Sequence, residues 1–242
     1  SLPAGEPTQV VKSTGPGVLF RIGADELVEL AQREGVVIVL RVRLGDFVPS
    51  DAPLADVHGG RVDEDVLRRL LAFGKDRTLH DDVAYGIRLL VDVAVRAVAP
   101  TTGDPTTAVQ AIDRIHDCLR LLSTRAFPSG RHLDGDGRLR LVVRTLSWEG
   151  YVHIALDELR HWSVESIQVT RRLAALLEDV LGVAPEDRRP PLREQLRLLR
   201  ADVEESYRHR GADESAWAVE PDQQGVGSGR SRILQDEGSL VP

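Results

Sequence analysis

The chain contains no methionine, one cysteine and two lysines, and aromatic residues make up only 4% of its 242 positions. Each shortage excludes something. With Cys118 alone no disulfide framework can form, and its apolar neighbours in a helical run argue against a reactive thiol. Neither Lys12 nor Lys75 lies in a hairpin tip, so a carrier with a swinging lysine arm is ruled out. "GDFVPSDAPL" does have the turn-and-strand character of a biotinyl/lipoyl-like barrel, which leaves room for a related β fold in a sensor or adaptor. No stretch approaches the ~20 apolar residues that cross a bilayer: "VVIVL" is strand-sized, and "LLVDVAVRAVA" is interrupted by Asp92 and Arg96. No signal peptide is visible. The missing methionine leads us to expect a piece of a longer chain. A net charge of -7 is the opposite of what neutralises phosphates, so no nucleic-acid partner is expected.

What is present, 42% hydrophobic and 29% charged residues, suits a folded domain of this length. Residues 1–60 read as a small mixed α/β module. "GVLFRI" is a strand; "ADELVELAQRE" is a helix with Leu27, Leu30 and Ala31 on one face, ended by Gly35; "VVIVLRVRL" is a second strand. Residues 61–210 read as a helical domain with one short strand near 138–145. Its expected helices are "DEDVLRRLLAFG", the central "LHDDVAYGIRLLVDVAVRAVA", "PTTAVQAIDRIHDCLRLLSTR", "WEGYVHIALDELRHW", "VESIQVTRRLAALLEDVLG" and "PPLREQLRLLRADVEESYRHR". Asp104 suits the N-cap and Pro105 the first turn of the third of these, and "FPSGRHLDGDG" is a polar link. Residues 211–242 turn polar without periodicity and read as a disordered tail. The fold class is therefore α+β: a small β-containing N-terminal module packed on a predominantly helical domain.

In the central helix Asp81, Tyr85, Arg88, Asp92 and Arg96 step by four, three, four and four, which aligns them as one polar stripe. If other helices surround this one, the stripe is partly buried and its charges must pair. Asp113 on the next helix is a candidate partner for Arg88. Asp104, Thr106 and Thr107 stand at that helix's N-terminus, either as a cap or as part of a ligand site for a cation or an anion.

Elsewhere, His153, Asp157 and His161 share a helix face and could begin a metal site, but no zinc-protease glutamate or second cluster completes it, so a solvated face with an Asp157–His161 pair is the expectation. "DGDG" at 134–137 would need its closing glutamate at Thr145, so an EF-hand fails. No Walker motif, nucleophile elbow or dinucleotide fingerprint appears, and no cofactor is indicated.

The stretch "DRTLHDDVAYGIRLLVDVAVRAVAPTTGDPTTAVQAIDR" resembles the signature of a bacterial family of predicted membrane proteins of unknown function. The matching positions are Arg77, Thr78, Asp81, Gly86, Arg88, Asp92, Asp104, Pro105, Thr106, Thr107 and Asp113. Gly103 and His80 stand where the family usually has Asn and Gln, so no role there uses an amide side chain. "GDFVPSDAPLADV" and "GRLRLVV" are similar to further family features. The resemblance implies a membrane-spanning region upstream, with this part as the soluble domain, and it brings no activity.

Together these readings give an expected function: a sensing or interaction domain coupled to its own upstream transmembrane region, homo-oligomeric and facing the cytoplasm. The alternative is an ion-handling, anion-handling or catalytic site built from Asp81, Arg88, Asp92, Asp104 and Asp113. Uncompensated acids around a cavity would favour that alternative; a one-to-one match of arginines with acids would favour a structural seam.

Overall fold

β-Branched and apolar segments in the first part of the chain form short strands, and the amphipathic segments later on form helices. The computed structural model describes residue 3 and residues 5–77, 82–98, 103–164, 166–208 and 218–220. The chain divides into two units, Ser1–Gly86 with Ala126–Ser147, and Ile87–Arg125 with Trp148–Pro242. The fold is α+β, as expected.

In the first unit the strands are β1 (Gln9–Lys12), β2 (Gly17–Ile22), β3 (Val37–Leu40), β4 (Phe47–Val48), β5 (Pro53–His58), β6 (Leu71–Gly74), β7 (Arg131–Leu133) and β8 (Leu139–Val142). Its helices are α1 (Ala24–Arg33) and α2 (Glu64–Arg69). Five strands form one sheet in the order β1-β5-β3-β8-β7, and three form another in the order β4-β2-β6. All pairs are antiparallel except β3 with β8, where Ile38 faces Leu141 and Val39 faces Val142. α1 buries Leu27, Leu30 and Ala31, the face its periodicity indicated, and packs against β3, β7 and β8. These residues join Leu19, Ile38 and Leu141 in one hydrophobic core.

Several local expectations change. Residues 61–86 and 126–147 group with residues 1–60 in the first unit. The helix expected to run to Gly74 stops at Arg69, and Leu71–Gly74 becomes β6, because Ile22 and Leu19 of β2 supply pairing partners for Leu71 and Phe73. The polar link contains β7, which pairs with β8. β3 ends at Leu40; Arg41 continues only as far as a main-chain bond to Leu54 O at 2.8 Å.

The second unit holds most of α3 (Val83–Val98), then α4 (Pro105–Thr124), α5 (Trp148–Ser163), α6 (Ile167–Val183), one 3-10 turn (Glu186–Arg188) and α7 (Arg189–Ser206). The helix that other helices surround is α6, not α3. α6 packs against α4, α5 and α7, and every residue from Val169 to Leu177 is buried. Buried Ala108 and Ala111 on α4, with Ala174 and Ala175 on α6, are small enough to let those two backbones approach closely. α3 buries Ile87, Val91 and Ala94 but leaves Val83 and Val93 exposed. α7 buries Leu192, Leu196, Leu199 and Val203, the row its spacing indicated. Within the expected tail, Ala218 is fully buried beside Val203 and Tyr207, and Arg171 Nε donates to Glu220 O at 3.0 Å. The remainder of that tail lies outside the described residues.

Candidate functional site

The α4 N-terminus explains itself locally. Gly103 takes a φ of +54°, Asp104 N donates to Ala97 O at 3.0 Å, and the chain then turns into the helix at Pro105. Asp104 Oδ1 accepts the main-chain N–H of Thr107 at 3.1 Å, and Oδ2 accepts its hydroxyl at 2.5 Å. The Thr107 hydroxyl, followed by its main-chain N–H, holds the Asp104 carboxyl below its ordinary range, with a smaller contribution from the Thr106 N–H. The carboxylate is thus occupied as a cap, and it is exposed.

The stripe on α3 is not buried. The Arg88 side chain is 45% exposed and that of Asp92 37%. Arg88 Nε lies 3.4 Å from Asp92 Oδ1, and its Nη2 lies 2.7 Å from Glu158 on α5. Arg96 Nε donates to the Asp92 main-chain oxygen at 3.0 Å. The burial expectation fails because α3 is not the surrounded helix. Asp81, Thr78 and His80 lie outside the described residues.

Asp113 goes elsewhere. Its Oδ1 receives Arg172 Nε of α6 at 2.6 Å. Arg172 Nη2 stands 2.8 Å from His116 Nδ1, and His116 Nε2 stands 2.8 Å from Asp179 Oδ2. A guanidinium can only donate, so His116 accepts at Nδ1 and donates from Nε2. Arg120 adds a cation to Asp179. Asp113, Arg172, His116, Asp179 and Arg120 therefore form a continuous ladder from α4 to α6. Desolvation pushes the Asp179 carboxyl up, but the hydrogen bonds from Arg120 and His116 outweigh it and leave it below its usual range. Arg172 is the buried end, its side chain 5% exposed, and its Nη1 is a buried donor with no acceptor among the described residues. Sequence reasoning passed over His116, Arg120, Arg172 and Asp179. The available signal was spacing: Asp113, His116 and Arg120 fall three and four apart on α4, and Arg172 and Asp179 lie seven apart on α6.

The α5 histidines do not converge. His153 Nδ1 lies 3.1 Å from Asp157 Oδ2, while His161 meets the Trp162 ring edge-on with centroids 5.7 Å apart. The expected Asp157–His161 pair is therefore replaced by His153–Asp157, and Gln195 of α7 donates to Asp157 Oδ1 at 2.6 Å. Among the described residues no group of three His, Cys, Asp or Glu side chains could hold a metal ion. Cys118 has its thiol pushed up by burial and then by Asp117, which disfavours the reactive thiolate.

Two quoted motifs meet in the first unit. Gly45, at a φ of +83°, leaves room for the Arg77 guanidinium; a methyl group there would sit 2.4 Å from Arg77 Nε. Arg77 grips Asp82 through Nε at 2.7 Å and Nη2 at 3.2 Å, and lies 5.0 Å from the centre of the Tyr85 ring. Asp82 Oδ1 in turn accepts the Tyr85 N–H at 2.9 Å and starts α3. The "DGDG" turn is also structural: Asp134, its side chain fully buried, accepts Arg140 Nε at 2.6 Å and the N–H groups of Asp136 and Arg138.

The geometry thus gives arginine-matched acids that clamp helices and turns. Residues 1–179 match the family described as "Predicted membrane protein (DUF2254)". Uncharacterized proteins of Mycobacterium bovis and Mycobacterium tuberculosis are each 27% identical over 251 residues, spanning 99% of this chain and 47% of their own length. The chain therefore spans about half the length of the curated relatives it matches. No solved structure matches it. Among the described residues no helix is long and apolar enough to cross a membrane. With its N-terminal 179 residues covered by the family, this chain belongs to the DUF2254 family of predicted membrane proteins.

Proposed function

We propose that this chain is an interaction domain of a membrane protein, working outside the bilayer on the cytoplasmic side as a homo-oligomer, and coupling a bound ligand or partner to a membrane-spanning part of the same polypeptide. The observation that carries this reading is the matching of acids with arginines. Asp92 and Glu158 share Arg88, Asp113 takes Arg172, and Asp179 takes Arg120. Carboxylates committed to arginine partners within and between helices are spent on rigidity, which favours binding over bond-making. The family description supports the membrane connection.

One observation favours a second reading, an anion-handling site: Arg172 Nη1 is a buried donor that an oxyanion could satisfy. A thermal melt with chelator, then with divalent ions, phosphates and nucleotides, beside Asp92→Asn and Arg172→Met, separates the two. A ligand at a hundred times its Kd adds about 2.7 kcal/mol of stability. Stabilisation by an anion that Arg172→Met removes would establish the second reading. The interaction reading expects no anion-dependent shift, together with cross-linking of the domain to the membrane part in the full-length protein. Recovery of the full-length protein in the soluble fraction would refute the membrane connection.

A further inference from the structure

The outer face of the three-stranded sheet carries an apolar patch that the acidic, aromatic-poor composition does not lead one to expect. Antiparallel partners share a face, and Val18 of β2 faces both Phe47 of β4 and Gly74 of β6. Phe20 lies over the same row: a methyl group at Gly74 would sit 3.2 Å from its ring. A register shift between Leu19 and Arg21 bulges β2 at this point, a device that re-aims side chains. The result is that Phe47 is 66% exposed and Phe20 38%, so two of the four phenylalanines in the chain stand outside on this sheet. The opposite face sends Leu19, Val48 and Leu71 into the core.

Two exposed cations border this patch. Arg21 follows Phe20, and Lys75 follows Gly74; both are exposed, and neither has an ion pair among the described residues. Of the nearby acids, Asp46 is held by Arg43 at 3.1 Å and Asp82 by Arg77 at 2.7 Å, while Asp25, Glu26 and Asp76 have no ion pair among the described residues. Exposed aromatic rings with flanking cations, on a chain whose net charge is -7, are the chemistry of an anionic bilayer surface: rings enter the headgroup region while Arg and Lys reach phosphate.

We propose that the Phe20–Phe47 face of the β4-β2-β6 sheet docks on the surface of an anionic phospholipid bilayer, with Arg21 and Lys75 contacting headgroup phosphates. The proposal rests on the reading that this domain works beside a membrane. The test is co-sedimentation of the 242-residue chain with phosphatidylcholine vesicles with and without phosphatidylglycerol, comparing wild type with Phe47→Ser and with Arg21→Glu/Lys75→Glu. Binding is expected only to the anionic vesicles. Phe47→Ser should weaken it about tenfold, the worth of one inserted ring, at an unchanged Tm. The charge-reversed variant should lose it at physiological salt. The proposal is overturned if the wild type ignores anionic vesicles, or if Phe47→Ser binds as tightly. It is also overturned if Phe47→Ser instead abolishes self-association in solution, which would make a second copy the occupant. None of these failures alters where the full-length protein fractionates, so the two readings fail separately.

Discussion

The Asp113–Arg172 pair can be broken from either end, and the two breaks should not cost the same. Asp113 is 44% exposed, whereas the Arg172 side chain is 5% exposed. Truncating Asp113 to alanine leaves a guanidinium inside the helical unit with Nε newly unpaired, beside an Nη1 that already lacks an acceptor. A stranded buried charge costs about 3 kcal/mol or more. Replacing Arg172 by methionine removes that charge but keeps most of the apolar stem, and the carboxylate left behind is open enough for water to take over. What remains is a lost donor to His116 Nδ1, on the order of 1 kcal/mol. For a chain of this length 1 kcal/mol moves Tm by about 2–4 °C, so Asp113→Ala should fall by roughly 6–12 °C and Arg172→Met by a few degrees at most. Thermal and urea melts of both variants and of the double variant provide the assay. In the double variant the Asp113→Ala penalty should largely vanish, since no buried cation remains to be stranded. Equal losses from the two single variants, or a loss below about 1 kcal/mol for Asp113→Ala, would refute the asymmetry argued from burial.

Other outcomes follow from the same geometry. Arg88→Ala should cost no more than about 1 kcal/mol by chemical denaturation, because a half-exposed pair is screened by water. Gly45→Ala should lose roughly 1–2 kcal/mol from backbone strain alone, and more from displacing Arg77; in an Arg77→Ala background only the strain should remain, which a double-mutant cycle reads directly. The Asp134 carboxyl is held below its usual range, chiefly by Arg140 and then by the N–H of Arg138. A depressed folded pKa contributes stability that is complete above the unfolded value of about 4 and is lost as pH falls through the folded one. The stability difference between wild type and Asp134→Asn should therefore be flat near neutrality and shrink below about pH 4, as acid titrations of unfolding would show. Cys118 should alkylate more slowly than glutathione at pH 8, measured with iodoacetamide, because burial and Asp117 both disfavour its thiolate.

Local signals carried much of the helical architecture. The leucine rows of α1 and α7 mark their buried faces, and Asp104 followed by Pro105 is readable as a helix start because capping involves only neighbours. What failed to show was whatever depends on distant partners. Leu71–Gly74 continues a helical pattern until β2 offers it a ladder. β7 looks like a polar link because Arg131 and Leu133 are exposed, so there is no alternation to read. The apolar character of α3 suggested a central position, yet the centre belongs to α6, where two consecutive arginines disguise a fully buried stretch. The charge ladder was invisible for a related reason. Its bonds join residues 59 and 63 apart, and only packing shows that the row on α4 meets the row on α6. The α3 stripe was readable as a stripe, since four-residue spacing is local, but its exposure was not.

The parallel pairing of β3 with β8 has a consequence for how the molecule comes into being. A chain emerging from the ribosome exposes Val37–Leu40 about a hundred residues before Leu139–Val142 can settle beside it. Until then β3 has β5 on one side and an open edge on the other, lined with unpaired main-chain groups and apolar side chains. Everything from Ile87 to Arg125 must be translated in that interval. Nascent chains stalled before residue 139 should therefore be protease-sensitive and prone to strand-swapped association, and those released after residue 142 should not. The order of synthesis makes the return of the chain to its first sheet the step that closes the N-terminal unit.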